Sequence, residues 1–140
     1  MTIKIMGYKM IFVWIMVVVL GFGMAYVRLA PSDPERWHVA REIVQDRDSE
    51  GGVLRRVETG ADGLARLDKV ARAWPRTRVL AGSVEEGMIT YVTRSAFWGF
   101  PDYTTVQQAG EWLKINARLR FGRGDFGVNR ARIEAWLAQL

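Results

Sequence analysis

The chain has 140 residues, a formal net charge of +5, a single histidine and no cysteine. These counts exclude disulfides, thiolate zinc sites and metal sites built from several histidines, so we expect no metal and no cofactor. Residues 1–30 contain three basic side chains and no acidic one, so much of the charge excess lies beside the apolar N-terminal run. A nucleic-acid-binding domain concentrates its charge in the folded part, so nucleic acid is not an expected partner.

Residues 1–29 are interpreted as a membrane anchor. Residues 10–27 are 18 positions without a charge, and a helix of that length spans about 27 Å, close to the ~30 Å hydrocarbon core. Lys4 and Lys9 precede this run, which favours a cytoplasmic N terminus in a bacterial inner membrane and a domain on the periplasmic side. The run is long for a signal peptide and lacks a good cleavage motif, so an uncleaved span is expected.

Two further features belong to the anchor and its exit. Gly21 and Ala25 are small residues four positions apart, a spacing that permits close contact with a partner helix but is also common in spans without one. Residues 30–36 contain two prolines, which prevent the helix from continuing. We therefore predict a linker over 30–36 and a globular domain over 37–140.

The globular domain is predicted to be α+β. The segment 59–75 has apolar residues at helical spacing and ends at Pro75, so it predicts a helix. The polar segment 45–52 is expected to be a mobile loop. Strand signals then follow as two hairpins, 77–82 with 88–95 and 103–108 with 112–121. With a last helix over roughly 126–139, we expect a small antiparallel sheet of about four strands with two packed helices.

The last predicted strand, 112–121, alternates between apolar and polar residues, so one face is buried and one is polar. The polar face presents Lys114, Arg118 and Arg120, close in sequence to Arg123, and Arg94 joins them if its strand is adjacent. Such a cluster can hold an anionic headgroup or an acidic partner. The alternative is an ordinary solvated strand face.

The stretch "LRFGRGDFGVN" connects that strand to the last helix. Glycines beside basic residues at a helix start can bind phosphate, but neither known glycine-rich phosphate pattern is present. Gly122 and Gly127 permit a tight turn, and Asp125 is placed to cap the helix by accepting from its first backbone amides. A turn with a cap is therefore the favoured interpretation.

The last helix carries an unusual polar residue. Its apolar stripe is predicted to comprise Phe126, Ile133, Trp136, Leu137 and Leu140. Asn129 falls in the middle of this stripe, with Arg132 on its flank. A buried asparagine needs partners for its amide, so we expect Asn129 to tie the helix to a neighbouring loop.

Aromatic residues crowd the loop between the two hairpins. Phe97, Trp98 and Phe100 either close the core from below or form an exposed patch for a partner. Arg94 and Asp102 bracket this loop and could pair across it. No serine–histidine–acid set is evident and His38 lies in a linker-like position, so we do not expect an enzyme.

The stretches "VTRSAFWGFPDYTTVQ" and "ARLRFGRGDFGVNRARIEAWL" together resemble the family known as domain of unknown function 1499. The first match consists of Arg94, Ser95, Gly99, Phe100, Pro101 and Asp102. The second consists of Arg118, Arg120, Gly122, Asp125, Gly127, Asn129, Arg132 and Ile133. The resemblance covers roughly residues 35–138 and implies a small envelope or membrane-associated α+β domain, often with N-terminal spans, but no activity.

These observations predict a single-span membrane protein with a small extracytoplasmic domain. The leading hypothesis is a non-catalytic accessory subunit that docks on a larger membrane protein complex. The alternative is an envelope protein that binds an anionic ligand, such as a lipid headgroup, through Arg94, Arg118, Arg120 and Arg123.

Overall fold

The computed structural model describes residues 2–140, with side chains from Gly7 onward. The side chain of Lys4, used above to predict orientation, therefore lies outside the described residues. The chain divides into two units, residues 1–31 and 32–140. Each unit is described separately below.

The first unit is a single apolar helix, α1, over Thr2–Leu29. Its 23 residues from Gly7 to Leu29 are long enough and apolar enough to cross a membrane, and a signal sequence has the same properties. Gly21 and Ala25 are both exposed on this helix. A side chain added at Gly21 would begin in open space, so the helix surface there is flat.

The second unit contains six antiparallel strands in the order β1-β2-β6-β5-β4-β3. In chain order its elements are α2 Pro34–Trp37, β1 Arg47–Ser49, β2 Gly52–Glu58, α3 Gly63–Ala73, β3 Thr77–Ser83, β4 Met88–Arg94, β5 Pro101–Ala109, β6 Trp112–Leu119 and α4 Val128–Leu137. The α+β class is therefore confirmed.

Helices α3 and α4 pack on one face of the sheet, which we call the helix face. Alternate strand residues point to this face, and their apolar side chains join those of the two helices in one core. Trp136 of α4 is fully buried and meets the ring of Tyr91 edge-on, with centroids 5.7 Å apart. Burial of such large aromatic surfaces is the main source of stability of this layer.

The prediction of about four strands was wrong, because β1 and β2 add a third hairpin. It lies where 45–52 was expected to be a loop. β1 is three residues long and fully exposed, so it has no apolar alternation to reveal it. β2 pairs with β6 along seven residues, and one of its helix-face positions is Arg55, which bonds Glu134 of α4. Because Arg55 is charged although it faces the core, it interrupts the apolar alternation by which a strand is predicted.

The prediction that the last helix begins near residue 126 was also wrong. Phe126 has a positive φ of 54° and is completely exposed, at 105 %. The chain therefore turns at Phe126 and Gly127, and α4 begins at Val128. Phe126 contributes nothing to the apolar stripe, whereas Ile133 and Trp136 are buried as expected.

The opposite face of the sheet is partly covered by the segment 32–43, which we call the cover segment. It starts with Ser32, whose hydroxyl lies 2.7 Å from that of Tyr103. Trp37 ends the short helix α2 and stacks on Tyr103 with ring centroids 3.9 Å apart. Ile43 is also buried. The predicted linker 30–36 therefore overlaps a segment that is packed on the sheet.

Candidate functional site

The turn before α4 is organised by Asp125. Its carboxylate accepts from the backbone amides of Gly127 at 2.9 Å and Asn129 at 3.0 Å. The helix N-cap itself is Gly127, in a left-handed conformation with φ 78°. Asp125 thus satisfies the free amides of the helix start, as predicted, but from two residues before the N-cap. A carboxylate already occupies the position that a phosphate would need.

Asn129 is fully buried, as its place in the stripe predicted. Its amide nitrogen donates to Asp125 at 2.6 Å and to Asp102 at 3.3 Å, and its carbonyl oxygen accepts from Arg132. Asp102 is the second residue of strand β5, and Asp125 lies in the turn before α4. Asn129 therefore ties α4 to that turn, as predicted, and also to the start of β5.

Arg132 and Asp102 form the charged part of the same cluster. The guanidinium of Arg132 is buried and lies 3.7 Å from the carboxylate of Asp102. Arg94 donates to the carbonyl of Gly99 in its own loop, at 2.8 Å. Asp102 therefore forms an ion pair with the helix, through Arg132, which the sequence did not predict.

Burial dominates the electrostatics of this cluster. It raises the pKa of Asp102 to about 6, with Asp125 adding repulsion and Arg132 opposing both. Burial likewise lowers the pKa of the Arg132 guanidinium, against the attraction of the two carboxylates. Charged groups in such a site need hydrogen-bonded partners, which Asn129 supplies. The cluster is best explained as a structural tie between sheet and helix.

Arg118 holds the cover segment against the sheet. Its Nη2 donates to the main-chain carbonyl of Trp37 at 2.6 Å, and its guanidinium lies over the ring of the same residue, 5.2 Å from the centroid. Nη1 donates to the hydroxyl of Thr105 and the carbonyl of Asn116. The alternative of a solvated strand face therefore does not hold at Arg118, because the cover segment lies over it.

The hydroxyl of Thr105 links His38 to the main chain of Trp37 through a chain of hydrogen bonds. This hydroxyl is placed to donate to the carbonyl of Trp37 and to accept from Arg118. When its proton is given to Trp37, Thr90 is the donor in the 2.9 Å contact between the hydroxyls of Thr105 and Thr90. Nδ1 of His38, 2.9 Å from the Thr90 oxygen, then carries a proton.

The four arginines proposed as one anion site are not brought together as predicted. Strand β5 lies between β4 and β6, so Arg94 is not on a strand adjacent to that of Arg118. Arg120 donates to the hydroxyl of Tyr103 at 3.2 Å. Arg123 lies in the exposed turn before α4. Arg118 and Arg120 both contact the stacked rings of Trp37 and Tyr103, and Arg118 is the one of the four that lines the cavity described next.

A different set of basic residues meets at an open cavity of about 240 Å³ on the cover-segment face, at the junction of β1, β2 and β6. We call it the arginine cavity. Arg41 of the cover segment, Arg47 of β1 and Arg118 of β6 line it, together with Asn116 and the main chain of 51–54. Its lining contains no carboxylate. Arg41 and Arg47 were not predicted as site residues, because both lie in segments for which the sequence pattern predicts no helix or strand.

The loop 95–100 displays aromatic rings outside the core. Phe97 is 68 % exposed, and Trp98 and Phe100 are also exposed. Their rings contact one another, with centroids of Phe97 and Trp98 5.1 Å apart and of Trp98 and Phe100 6.4 Å apart. Of the two alternatives, core closure or exposed patch, the structure therefore favours the patch. We call it the aromatic patch.

The loop that carries the aromatic patch is held by its own hydrogen bonds. Ser95 and Phe100 exchange two of them, from the Ser95 amide to the Phe100 carbonyl and from the Phe100 amide to the Ser95 hydroxyl. Arg94 adds a third, to the carbonyl of Gly99. The rings are thus presented by a fixed backbone.

Within residues 2–140, no group of three or more histidine, cysteine or acidic side chains is placed to hold a metal ion. His38 packs on the sheet, with a hydroxyl as its polar partner.

The comparisons with known proteins agree with the resemblance noted in the sequence. The model of the family described as "Protein of unknown function (DUF1499)" matches residues 26–140. No curated protein matches the chain, and no solved structure does. The match spans well over half of the chain and includes the whole of the second unit, so this protein belongs to the DUF1499 family.

Proposed function

We propose that this protein is a single-span membrane protein and a non-catalytic accessory subunit of a larger membrane protein complex. Helix α1 is the span in this proposal. The lysines that precede the apolar run support a cytoplasmic N terminus, with the folded domain on the periplasmic side of a bacterial inner membrane. Because only Ala30 and Pro31 separate α1 from the second unit, the domain is tethered beside the membrane, where a membrane-bound partner is accessible.

The observation that carries this proposal is the aromatic patch. Three neighbouring exposed aromatic side chains are uncommon on a protein without a partner, and aromatic residues contribute strongly at the centres of protein interfaces. The loop is held by Ser95 and Arg94, so binding would cost little ordering of the backbone. An apolar surface on a membrane-bound partner fits a patch made of Phe97, Trp98 and Phe100.

A strip of small residues on α1 also supports the proposal of a membrane-bound partner. Gly21 and Ala25 leave a flat strip on an otherwise bulky helix, and such strips permit close packing of transmembrane helices. A partner helix in the same bilayer is therefore the expected neighbour of α1.

The test is native electrophoresis of membranes extracted with mild detergent, with the double variant Phe97→Ser/Trp98→Ser. We expect wild-type protein to migrate in a complex of defined size, and the variant to migrate alone. Phe126→Ser is the matched control, because Phe126 is an exposed aromatic residue that lines a different surface, together with Asp48 and Arg130, and it should leave the complex intact. Gly21→Leu tests the helix strip in the same way. A wild-type protein that migrates only as a small single species contradicts the proposal, as does equal loss of the complex in the control.

The second candidate function is binding of an anionic ligand. The observation that favours it is the arginine cavity rather than the four arginines first considered. Its ligand class is argued next.

A further inference from the structure

We propose that the arginine cavity binds an oxyanion of the phosphate class, either a free anion or the phosphate of a lipid headgroup. This site is distinct from the aromatic patch and does not depend on the docking proposed above. It uses Arg41, Arg47 and Arg118, with the amide of Asn116 beside them.

The first argument is the composition of the lining. Three guanidinium groups come from three separate segments, and each has the planar donor geometry that matches phosphate and carboxylate oxygens. A volume of about 240 Å³ is roughly that of eight liquid waters. This accommodates a tetrahedral anion with some water, but it is small for a drug-sized organic ligand.

The second argument is that the acids near the cavity in sequence, apart from the exposed Glu50, are engaged elsewhere. Glu42 pairs with Lys114 at 2.7 Å, and Asp46 and Asp48 pair with Arg55. Within the described residues, no ion pair involves any of the three cavity arginines. Three arginines and no carboxylate line the cavity, so it is a region of positive charge.

The third argument is the position of Arg118. It is partly buried, and both burial and the positive charge of Arg41 lower the pKa of its guanidinium. Repulsion between two cations beside a cavity is relieved when an anion binds between them. The hydrogen bonds of Arg118 to Thr105, Asn116 and Trp37 use both hydrogens of Nη1 and one of Nη2. Since a guanidinium has five N–H groups, two donors remain for a ligand.

The test uses the full-length protein in a neutral detergent, with inorganic phosphate as the probe in isothermal titration calorimetry. The variant is Arg41→Gln/Arg47→Gln. Both arginines are exposed, so folding should be preserved. We expect saturable phosphate binding by the wild type and a loss of about tenfold or more in the variant, since one charge-assisted hydrogen bond corresponds to roughly that factor. The matched control is Arg78→Gln/Arg123→Gln, which removes the same charge from exposed positions outside the cavity and should change affinity by less than about twofold.

A second arm distinguishes the two sources of the anion. The same proteins are placed in nanodiscs of mixed phosphatidylglycerol and phosphatidylcholine, and the lipids retained after exchange into detergent are measured by native mass spectrometry. Phosphatidylglycerol retained by the wild type and the control, but lost in Arg41→Gln/Arg47→Gln, identifies a headgroup site. Phosphate binding without lipid retention identifies a free-anion site. Absence of both signals, or equal losses in the two double variants, overturns the proposal. Phosphate and lipid binding are measured independently of the migration of the membrane complex. Either proposal can therefore be contradicted while the other stands.

Discussion

The guanidinium of Arg118 donates a hydrogen bond of 2.6 Å to the main-chain carbonyl of Trp37, which lies 81 residues earlier in the chain. This bond joins β6 to the cover segment and places Arg41 close enough to Arg118 to affect its pKa. One side chain therefore both fastens the cover segment and forms part of the arginine cavity. Stability and ligand binding are linked at this position.

We expect Arg118→Met to destabilise the domain by about 1–2 kcal/mol, because Trp37 loses a charge-assisted hydrogen bond. The cost is limited because the carbonyl keeps its bond from Thr105 and repulsion from Arg41 disappears. Thermal unfolding followed by tryptophan fluorescence measures the change, and proteolysis within the cover segment should become faster. Arg123→Met, in the exposed turn, should alter stability by less than about 0.5 kcal/mol. Equal effects of the two variants would argue against the fastening role.

The tautomer of His38 yields a second prediction. The amide nitrogen of asparagine can replace Nδ1 of histidine, whereas that of glutamine replaces Nε2. With Nδ1 as the donor to Thr90, His38→Asn should retain most of the stability and His38→Gln should lose about 1 kcal/mol more. Nitrogen NMR of the wild type should show a protonated Nδ1, and an unprotonated Nδ1 would show that the hydrogen-bond chain runs in the other direction. The reverse order of the two variants would show that the bond at Nδ1 does not contribute to stability.

Gly82 provides a test of how closely His38 packs on the sheet. A Cβ at Gly82 would lie 2.6 Å from Cε1 of His38 and would overlap the carbonyl of Met88, and φ is +84°. Steric overlap and the left-handed conformation together predict a loss of about 3 kcal/mol or more for Gly82→Ala. Gly87→Ala is the control, since Gly87 also has a positive φ but open space around it, and it should cost only about 1–2 kcal/mol. Thermal unfolding compares them, and similar losses would refute the packing argument.

The sequence predicts those parts of this fold that depend on local pattern. Helix α3, the two hairpins of β3–β6 and the burial of Asn129 follow from apolar periodicity and turn residues close in the chain. β1 was missed because it is short and exposed, and β2 was missed because it is charged and pairs with β6, about 60 residues later, which no local pattern records. The arginine cavity was missed for the same reason. Arg41, Arg47 and Arg118 meet through strand order and the cover segment, whereas the prediction grouped arginines by proximity in sequence.

Asn129→Leu should destabilise the domain by about 2–4 kcal/mol. Leucine has a similar size, but it leaves Arg132 and the carboxylates of Asp102 and Asp125 without the amide that joins them. Thermal unfolding of the full-length protein measures the effect. Arg130→Gln changes the next residue of the same helix, where an exposed ion pair with Asp48 is lost, and should cost less than about 1 kcal/mol. A neutral Asn129→Leu variant would show that the buried cluster does not hold α4.

The pH dependence of stability should reveal the buried carboxyl of Asp102. The groups that face it are Arg132 and Asn129 of α4 and Asp125 of the turn. Its pKa is raised from 3.8 to about 6, so between these values the folded state binds more protons than the unfolded state. Stability from this group is therefore full below about pH 4 and falls as pH rises to 6. Asp102→Asn resembles the protonated form at every pH, so its stability should not decrease over this range.

We therefore expect wild type and Asp102→Asn to have similar stability at pH 4, and the variant to become the more stable one by pH 7. Since one pKa unit corresponds to about 1.4 kcal/mol, the difference should approach roughly 3 kcal/mol. Melting temperatures of the full-length proteins between pH 4 and pH 7 provide the measurement. Asp48→Asn is the control, because Arg55 lowers the pKa of Asp48 and its difference from the wild type should stay constant over that range. A difference for Asp102→Asn that is also constant would mean that Arg132 keeps the carboxylate charged throughout, and that ion pairing outweighs burial in this cluster.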